Sequence, residues 1–129
     1  MKSSRLERLG LTCAIAAAAL VAIPTASAKD GDVLVRGACT KASSSKLKLS
    51  GEDGRIEVEF EVDQNRNGVR WTVVLRRPAT LLVRTTRVTR GPSGSFELRR
   101  VVADLAGADR ITARATSPSG EVCRATAAF

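Results

Sequence analysis

The chain has 129 residues, a formal net charge of +8, three cysteines and no histidine. The missing histidine argues against the usual acid–base and nucleophilic centres and against most zinc sites. Aromatic residues make up 3% of the chain, too few for a platform on which bases would stack. The excess of basic over acidic residues predicts a weak, salt-screened attraction to polyanions.

The first 28 residues have the three parts of a secretory signal peptide. A basic start precedes an apolar run over residues 9–23, and the small residues 26–28 form a cleavage site. The run is short for a membrane span, which needs roughly 20 apolar residues. We therefore predict a signal peptide and a single secreted domain at residues 29–129. The domain would carry a net charge of +6, because the signal segment holds three basic residues and one acid.

Export determines how the cysteines are interpreted. Cys13 lies within the signal segment, ahead of most of its apolar run, which argues against a lipid anchor. Cys39 and Cys123 then make an even pair in an oxidising compartment, which predicts a disulfide between them. This bridge would close nearly the whole domain and stabilise it by roughly 4 kcal/mol.

Alternation of apolar and polar residues predicts β-strands in the remaining chain. The clearest strand is Arg55–Asp63, in which every second residue is apolar and most of the others are acidic. Residues 33–40 and 45–50 alternate in the same way. The turn-forming residues 52–54 are predicted to join the second of these segments to Arg55–Asp63.

Residues 69–76 form a second clear strand, which is predicted to pair with Arg55–Asp63. Asn67-Gly68 lies between the two segments and is the strongest short hairpin signal. A two-residue turn there brings apolar side chains together on one face and acids opposite bases on the other. The predicted partners are Val62 with Val73, Phe60 with Leu75, and Glu59 with Arg76.

Further strands are predicted at residues 80–90, 95–103, 110–116 and 121–127. In residues 80–90 the apolar residues change from one face to the other, which predicts a bulge or two short strands. In residues 95–103 the apolar pattern also changes phase, at Val101. Together the segments predict an all-β, immunoglobulin-like antiparallel β-sandwich of about seven to eight strands. A partly closed barrel is the alternative.

Residues 102–115 resemble the corner before the penultimate strand of immunoglobulin-like and fibronectin-type-III-like domains, where an Asp-containing turn leads into alternating residues. Those domains usually have a tyrosine near the position of Ile111, and this chain has no tyrosine. With residues 56–63, the strand of Trp71 and residues 92–96, the mature chain resembles small secreted sandwich proteins of high-GC Gram-positive bacteria. The resemblance implies the fold and export, and it implies no activity.

Two constellations resemble catalytic or metal sites. Glu57, Glu59 and Glu61 lie about 7 Å apart on one strand face, a separation that an inverting glycosidase could use, but a flat sheet offers no concave site. The motif Asp63-x-Asn65-x-Asn67-Gly68 matches the first half of a calcium loop and lacks the bidentate acid that an EF-hand needs at position 74. We therefore predict no metal, no cofactor and no enzyme activity.

Arginines in the second half of the chain are the remaining candidate for a site. Five of them could gather on an outward sheet face and bind polyanions. They are Arg84, Arg90, Arg100, Arg110 and Arg114. The alternative is an ordinary solvated surface, because arginines on strands often pair with acids or protect sheet edges.

Three functions are consistent with these patterns. The leading hypothesis is a secreted, non-enzymatic sandwich that binds an unidentified extracellular protein or polymer. The alternative is a surface-associated protein, with the cell wall as its candidate location, that binds an anionic wall polymer or, less favoured, nucleic acid through its arginines. A small hydrolase is the third and weakest hypothesis.

Overall fold

The computed structural model describes residues 31–129, and the predicted signal segment, including Cys13, lies outside them. This part of the chain forms nine strands. They are β1 (Val33–Arg36), β2 (Ala38–Cys39), β3 (Ser44–Glu52), β4 (Arg55–Asp63), β5 (Arg70–Arg77), β6 (Thr80–Val88), β7 (Ser95–Ala103), β8 (Arg110–Thr116) and β9 (Val122–Ala128). Residues 31–129 contain no helix with the length and apolar character needed to cross a membrane.

The strands form two antiparallel sheets that pack face to face. The four-stranded sheet has the order β1-β3-β4-β7, and the five-stranded sheet has the order β2-β9-β8-β5-β6. The fold is the all-β, immunoglobulin-like antiparallel β-sandwich that the sequence predicts. Its four-stranded sheet differs from the ABED order of constant-type immunoglobulin domains, because β3 pairs with the strand that follows it along the chain.

The core lies between the sheets and is built from every second residue of the strands. Its buried apolar side chains are Leu47, Leu49, Ile56, Val58, Phe60, Val62, Trp71, Val73, Leu75, Phe96, Leu98, Val102, Ile111, Ala113, Ala115, Cys123, Ala125 and Ala127. Trp71 is fully buried, with its ring centroid 6.0 Å from that of Phe96. Its indole N–H donates to the side-chain oxygen of Gln64 at 3.1 Å, which satisfies the polar atom of the ring.

The predicted turn at residues 52–54 joins β3 to β4 in a hairpin. Glu52 lies opposite Arg55, so the loop consists of two residues only. Both of them, Asp53 at φ 49° and Gly54 at φ 73°, have the positive φ of a type I′ turn. The acidic strand therefore has β3 as its hairpin partner.

The predicted pairing of β4 with β5 through Asn67-Gly68 is wrong. In the four-stranded sheet β4 pairs with β3 and β7, so Phe60 lies opposite Leu47 and Leu98. In the other sheet β5 pairs with β6 and β8. The predicted partners Val62 and Val73, Phe60 and Leu75, and Glu59 and Arg76 therefore belong to different sheets.

The connection from β4 to β5 crosses between the sheets instead of reversing within one of them. A two-residue I′ turn needs positive φ at two consecutive residues, but here Asn65 and Gly68 have positive φ. The amide of Gln64 donates to the carbonyl of Gly94, and the amide of Gly68 donates to the carbonyl of Thr89, which fixes the crossing against the β6–β7 connection. Alternation predicts which side chains face the core. It does not show whether two strands pair within one sheet or pack against each other from opposite sheets.

The first predicted strand, residues 33–40, is divided into β1 and β2. The break is Gly37, whose amide donates to the carbonyl of Ser45 at 2.9 Å. A Cβ at this position would lie 2.1 Å from the hydroxyl of Ser45 and 2.8 Å from the carbonyl of Arg124, so the close approach requires glycine. The chain passes from one sheet to the other at this point.

The predicted irregularity in residues 80–90 is confirmed as a bulge in β6. Leu75 of β5 lies opposite Val83, whereas the next residue of β5 lies opposite Leu81. Leu82 is the extra residue, so the outward and inward phases exchange along β6 at this point.

The predicted phase shift at Val101 is wrong. β7 alternates without a break, with Val102 buried and Val101 exposed. The alternation is hard to detect in the sequence because Arg100 occupies a position on the inward side of this edge strand.

The predicted Cys39–Cys123 disulfide is present. The two cysteines are direct partners in the ladder between β2 and β9. The bond therefore joins one of the first strands to the last one, and it closes most of the described chain into a loop.

Candidate polyanion-binding face

Alternation along the strands places arginines on the outer side of the five-stranded sheet. In β8, Ile111, Ala113 and Ala115 are buried, and the residues that alternate with them, which include Arg110 and Arg114, face outward. In β9, Arg124 is likewise exposed between two buried residues.

The register of the sheet brings four of these arginines together. Arg114 lies opposite both Arg124 of β9 and Val74 of β5, and Val74 in turn lies opposite Arg84 of β6. Arg76 lies one outward position further along β5. We call Arg76, Arg84, Arg114 and Arg124 the central cluster. An open depression of about 360 Å³ is lined by the central cluster with Val74, Thr112 and Thr126.

The whole outer side of this sheet lacks acidic residues. Its outward residues, which we call the basic face, are Ala38, Arg70, Thr72, Val74, Arg76, Leu81, Arg84, Thr86, Val88, Arg110, Thr112, Arg114, Thr116, Val122, Arg124, Thr126 and Ala128. Within residues 31–129 no ion pair neutralises any of its six arginines. Like charges directly opposite each other destabilise a sheet. Arg114 and Arg124 are such a pair, and an anion bound between them would relieve their repulsion.

The outer side of the four-stranded sheet has a different charge pattern. Its outward residues, which we call the paired face, are Leu34, Arg36, Ser44, Lys46, Lys48, Ser50, Glu52, Arg55, Glu57, Glu59, Glu61, Asp63, Ser95, Glu97, Arg99, Val101 and Ala103. Here the acids of β4 lie between the lysines of β3 and Arg99 of β7. The paired face carries five cations and six acids, so their fields largely cancel, even though Arg36 lies opposite Lys46 and Glu61 lies opposite Glu97.

Arg99 has the densest contacts on the paired face. Its guanidinium lies 3.6 Å from the carboxylate of Glu57 and 3.2 Å from that of Glu97, and it also pairs with Glu59. The hydrogen bond to Glu97 and the nearby charges of Glu57 and Glu59 raise the pKa of Arg99. Lys46 and Lys48 pair with Glu61 and Glu59 at 3.5 and 3.7 Å. The three glutamates considered for glycoside hydrolysis are therefore engaged in ion pairs on an open sheet.

Depressions of about 340 and 330 Å³ also occur on the paired face. Both are lined by cations and anions together, with Lys46 and Glu61 common to the two. The size of a depression therefore does not distinguish the two sides of the sandwich, whereas the sign of its lining charges does.

The calcium-like motif forms part of the crossing between the sheets. The carboxylate of Asp63 accepts a hydrogen bond from the amide of Asn65 at 2.9 Å, as in an Asx turn. In the described part of the chain, histidine, cysteine and acidic residues do not come together in groups of three or more that could hold a metal ion.

Two buried carboxylates hold loops in place. Asp109 pairs with the guanidinium of Arg77 at 3.2 Å, and its other oxygen accepts the amide of Leu105 at 3.1 Å. Arg77 also donates to the carbonyl of Ala103. These contacts join the end of β5 to the β7–β8 connection.

Glu121 acts in a similar way at the other end of the sandwich. Its carboxylate accepts hydrogen bonds from the amides of Lys41 and Ser43, both at 3.1 Å, and from the Ser43 hydroxyl at 2.6 Å. The carboxylates of Asp109 and Glu121 are therefore satisfied by the protein itself and do not face a ligand cavity.

The structure brings together three of the five arginines proposed from the sequence. Arg84, Arg110 and Arg114 lie on the basic face. Arg90 lies in the connection from β6 to β7, where it forms a bridge with Ser95. Arg100 lies on the inward side of β7, and its guanidinium donates to the carbonyl of the preceding residue. Arg90 and Arg100 are therefore not members of the basic face.

Sequence reasoning missed Arg70, Arg76 and Arg124 as members of this face. Their outward phase is visible in the alternation of β5 and β9. Arg76 was assigned to Glu59 because β4 and β5 were predicted to share a sheet, and this error removed it from the candidate site.

Comparison with known proteins does not supply a function. No protein-family model matches the chain, and neither the curated proteins nor the solved structures contain a significant match.

Proposed function

We propose that the protein is a secreted, non-enzymatic module that binds an anionic polymer through the basic face. Arg114 opposite Arg124, inside a group of four arginines without a nearby acid, is the observation that carries the proposal. Secretion is supported by the signal-like first segment and is compatible with the disulfide, since disulfides persist in oxidising compartments.

Arginine suits this role because its guanidinium is always charged and presents several donors to one anionic group. Bidentate hydrogen bonds to phosphate or carboxylate are stronger than neutral ones. A polymer that places several anions on the central cluster would also release its bound counterions, and that release makes binding tighter at low salt. The face would recognise charge and spacing, and no chemical conversion is required of it.

Recognition of a protein through an apolar surface has weaker support. The exposed large apolar side chains are Leu34, Leu81, Val101 and Leu105. They lie on β1, β6, β7 and the β7–β8 connection, and Leu34 and Val101 are separated by two strands of one sheet. Scattered apolar residues of this kind are normal on a soluble domain.

The experiment compares two variants of equal charge. One replaces the central cluster, R76Q/R84Q/R114Q/R124Q. The matched control is R36Q/R55Q/R66Q/R90Q, which removes four exposed arginines outside the central cluster, although Arg66 lines a depression together with Arg70 of the basic face. Binding of fluorescently labelled inorganic polyphosphate to the oxidised protein is followed by anisotropy between 50 and 200 mM salt, and thermal unfolding checks that both variants fold.

We expect the central-cluster variant to bind polyphosphate about 100-fold more weakly at 50 mM salt, and its binding to depend less on salt. The control should stay within about threefold of the parent protein. Equal losses in both variants would show that only net charge matters and would overturn the proposal, as would an absence of binding by the parent protein.

A further inference from the structure

The basic face is longer along the strands than across them. Arg110 lies four residues before Arg114 in β8, and Arg70 lies four residues before Val74 in β5. Because β5 and β8 are antiparallel with Val74 opposite Arg114, these two arginines extend in opposite directions from the central cluster. At about 3.4 Å per residue, Arg110 and Arg70 are separated by about 27 Å along the strands.

We propose that the ligand is a single linear chain of polyol phosphate that runs along the strands from Arg110, over the central cluster, to Arg70. This inference rests on the proposed function and adds the direction, the length and the chemical class of the polymer. The six unpaired arginines occupy four levels along this distance: Arg70 at one end, Arg84, Arg114 and Arg124 level with one another at the centre, and then Arg76 and Arg110 toward the other end. A phosphate chain of this length that runs along the strands can therefore meet a cation at each of the four levels.

Threonines fill the interval between the central cluster and Arg70. Thr72 of β5 lies opposite both Thr86 of β6 and Thr116 of β8, so three hydroxyl groups form one row across the sheet. A hydroxyl can donate to a phosphate oxygen, and it can also exchange hydrogen bonds with the hydroxyl of a polyol unit. The face therefore alternates cations with hydroxyl groups along its length, as a polyol phosphate alternates anions with hydroxyl groups.

Nucleic acid fits this surface less well. Single strands are held largely by stacking of bases on aromatic side chains. The four aromatic residues of the chain are absent from the basic face, because Phe60, Trp71 and Phe96 are buried and Phe129 packs against the core. A flat sheet also lacks the protruding helix or ribbon that enters a major groove.

The test uses poly(glycerol phosphate) chains of two and of eight repeats. R70Q/R110Q removes the two ends of the proposed track, and R36Q/R55Q is the control of equal charge on the paired face. The two-repeat chain is too short to contact Arg70 and Arg110 together, so its binding depends mainly on the central cluster, where four arginines lie close together. We expect R70Q/R110Q to weaken binding of the eight-repeat chain about tenfold, and to leave binding of the two-repeat chain unchanged.

The salt dependence gives a second readout. Loss of two phosphate contacts to a flexible chain should reduce the slope of log K against log salt by about 1.4. If R70Q/R110Q and R36Q/R55Q bind the long chain equally, the track along the strands is wrong. The proposed function would survive that result, provided that the central-cluster variant still fails to bind.

The chemical class is tested with oligothymidylate of eight phosphates as a competitor. We expect poly(glycerol phosphate) to bind more tightly than oligothymidylate, and the variant T72V/T86V/T116V to remove this preference while retaining the fold. Tighter binding of oligothymidylate, or an unchanged preference in the threonine variant, would overturn the assignment to a polyol phosphate.

Discussion

The two outer faces of the sandwich have the same alternating backbone pattern and different charge distributions. The paired face is close to neutral, and the basic face is strongly positive. On the paired face, the acids of β4 lie between the basic residues of β3 and β7, and ion pairs cross the strands. On the basic face, β8 lies between β5 and β9, and the outward positions of all three strands carry arginine, threonine and small apolar residues. Charge is therefore neutralised within one sheet, and the arginines on the outer side of the other sheet have no acid partner.

The central cluster also contains an unfavourable contact that no acid in the same row of the sheet offsets. Arg114 and Arg124 could have been an acid–base pair, as Lys46 and Glu61 are on the paired face. Repulsion between like charges lowers the stability of the free protein, and a ligand that binds only the folded form recovers it. An unfavourable contact without a compensating acid supports the proposed role of the central cluster in binding.

The largest effect should come from an arginine that has a buried partner. Arg77 and Arg76 are neighbours in β5, but Arg77 pairs with the buried Asp109, whereas Arg76 belongs to the central cluster. R77A leaves the carboxylate of Asp109 without its cation, and the free energy of unfolding should fall by about 3 kcal/mol. R76A should change it by less than about 0.5 kcal/mol. Urea denaturation measures both.

Binding of polyphosphate should show the reverse order. R76A should weaken it, while folded R77A should bind as the parent protein does. If the stability of R76A fell as far as that of R77A, the distinction between a structural and a ligand-facing arginine would be lost.

A smaller effect is expected from reversing one charge on each face. R114E places opposite charges across the β8–β9 ladder and should raise the free energy of unfolding by about 0.5 kcal/mol. It should also weaken binding of polyphosphate about tenfold, since the central cluster loses a cation and gains an anion. R55E makes the same change in net charge, but it places two acids opposite each other because Arg55 pairs with Glu52.

R55E should therefore lower stability and leave binding unchanged. Thermal unfolding and anisotropy on the same samples measure the stability and the polyphosphate binding of both variants. Parallel changes in the two variants, in either stability or binding, would show that the faces do not differ in the way proposed.

The sequence predicted the local features of this fold well and its long-range pairing poorly. The strand of the buried Ile56 and Phe60, the turn at Asp53-Gly54 and the Cys39–Cys123 bond all depend on residues close in sequence or on cysteine number. The β4–β5 pairing failed because two amphipathic strands can satisfy their apolar faces across the core as well as within one sheet.

The same limit affected the candidate site. The outward phase of Arg114 and Arg124 can be predicted from the alanines beside them, but their contact depends on the register between β8 and β9. Arg100 was included because the predicted phase shift at Val101 placed Arg100 outward, whereas β7 alternates without a break and Arg100 lies on the inward side of this edge strand. Charge composition led to the polyanion hypothesis, and strand order determines which arginines lie together on one face.

The smallest effect concerns pH, because it acts on an exposed ion pair between Lys48 of the paired face and Asp32, which precedes β1. Hydrogen bonds from Ser50 and Lys48 lower the pKa of Asp32, and the pairing with Asp32 raises the pKa of Lys48. The contribution of Asp32 to stability is present above its unfolded pKa of about 3.9, and it is lost as the pH falls through its lower folded value. The contribution of Lys48 is present below about pH 10.4 and is lost as the pH rises through its higher folded value.

D32N removes the contribution of Asp32 and the part of the Lys48 contribution that comes from Asp32, while the pairing of Lys48 with Glu59 remains. The difference in stability between D32N and the parent protein should therefore be constant near neutral pH and shrink at both extremes. Urea denaturation from pH 2 to pH 11 measures it. Binding of polyphosphate should instead stay flat from pH 7 to pH 9, because arginine keeps its charge throughout. A difference in stability that persists at pH 2 would show that Asp32 acts through packing, whereas a loss of binding between pH 7 and pH 9 would show that a titrating group contributes to the basic face.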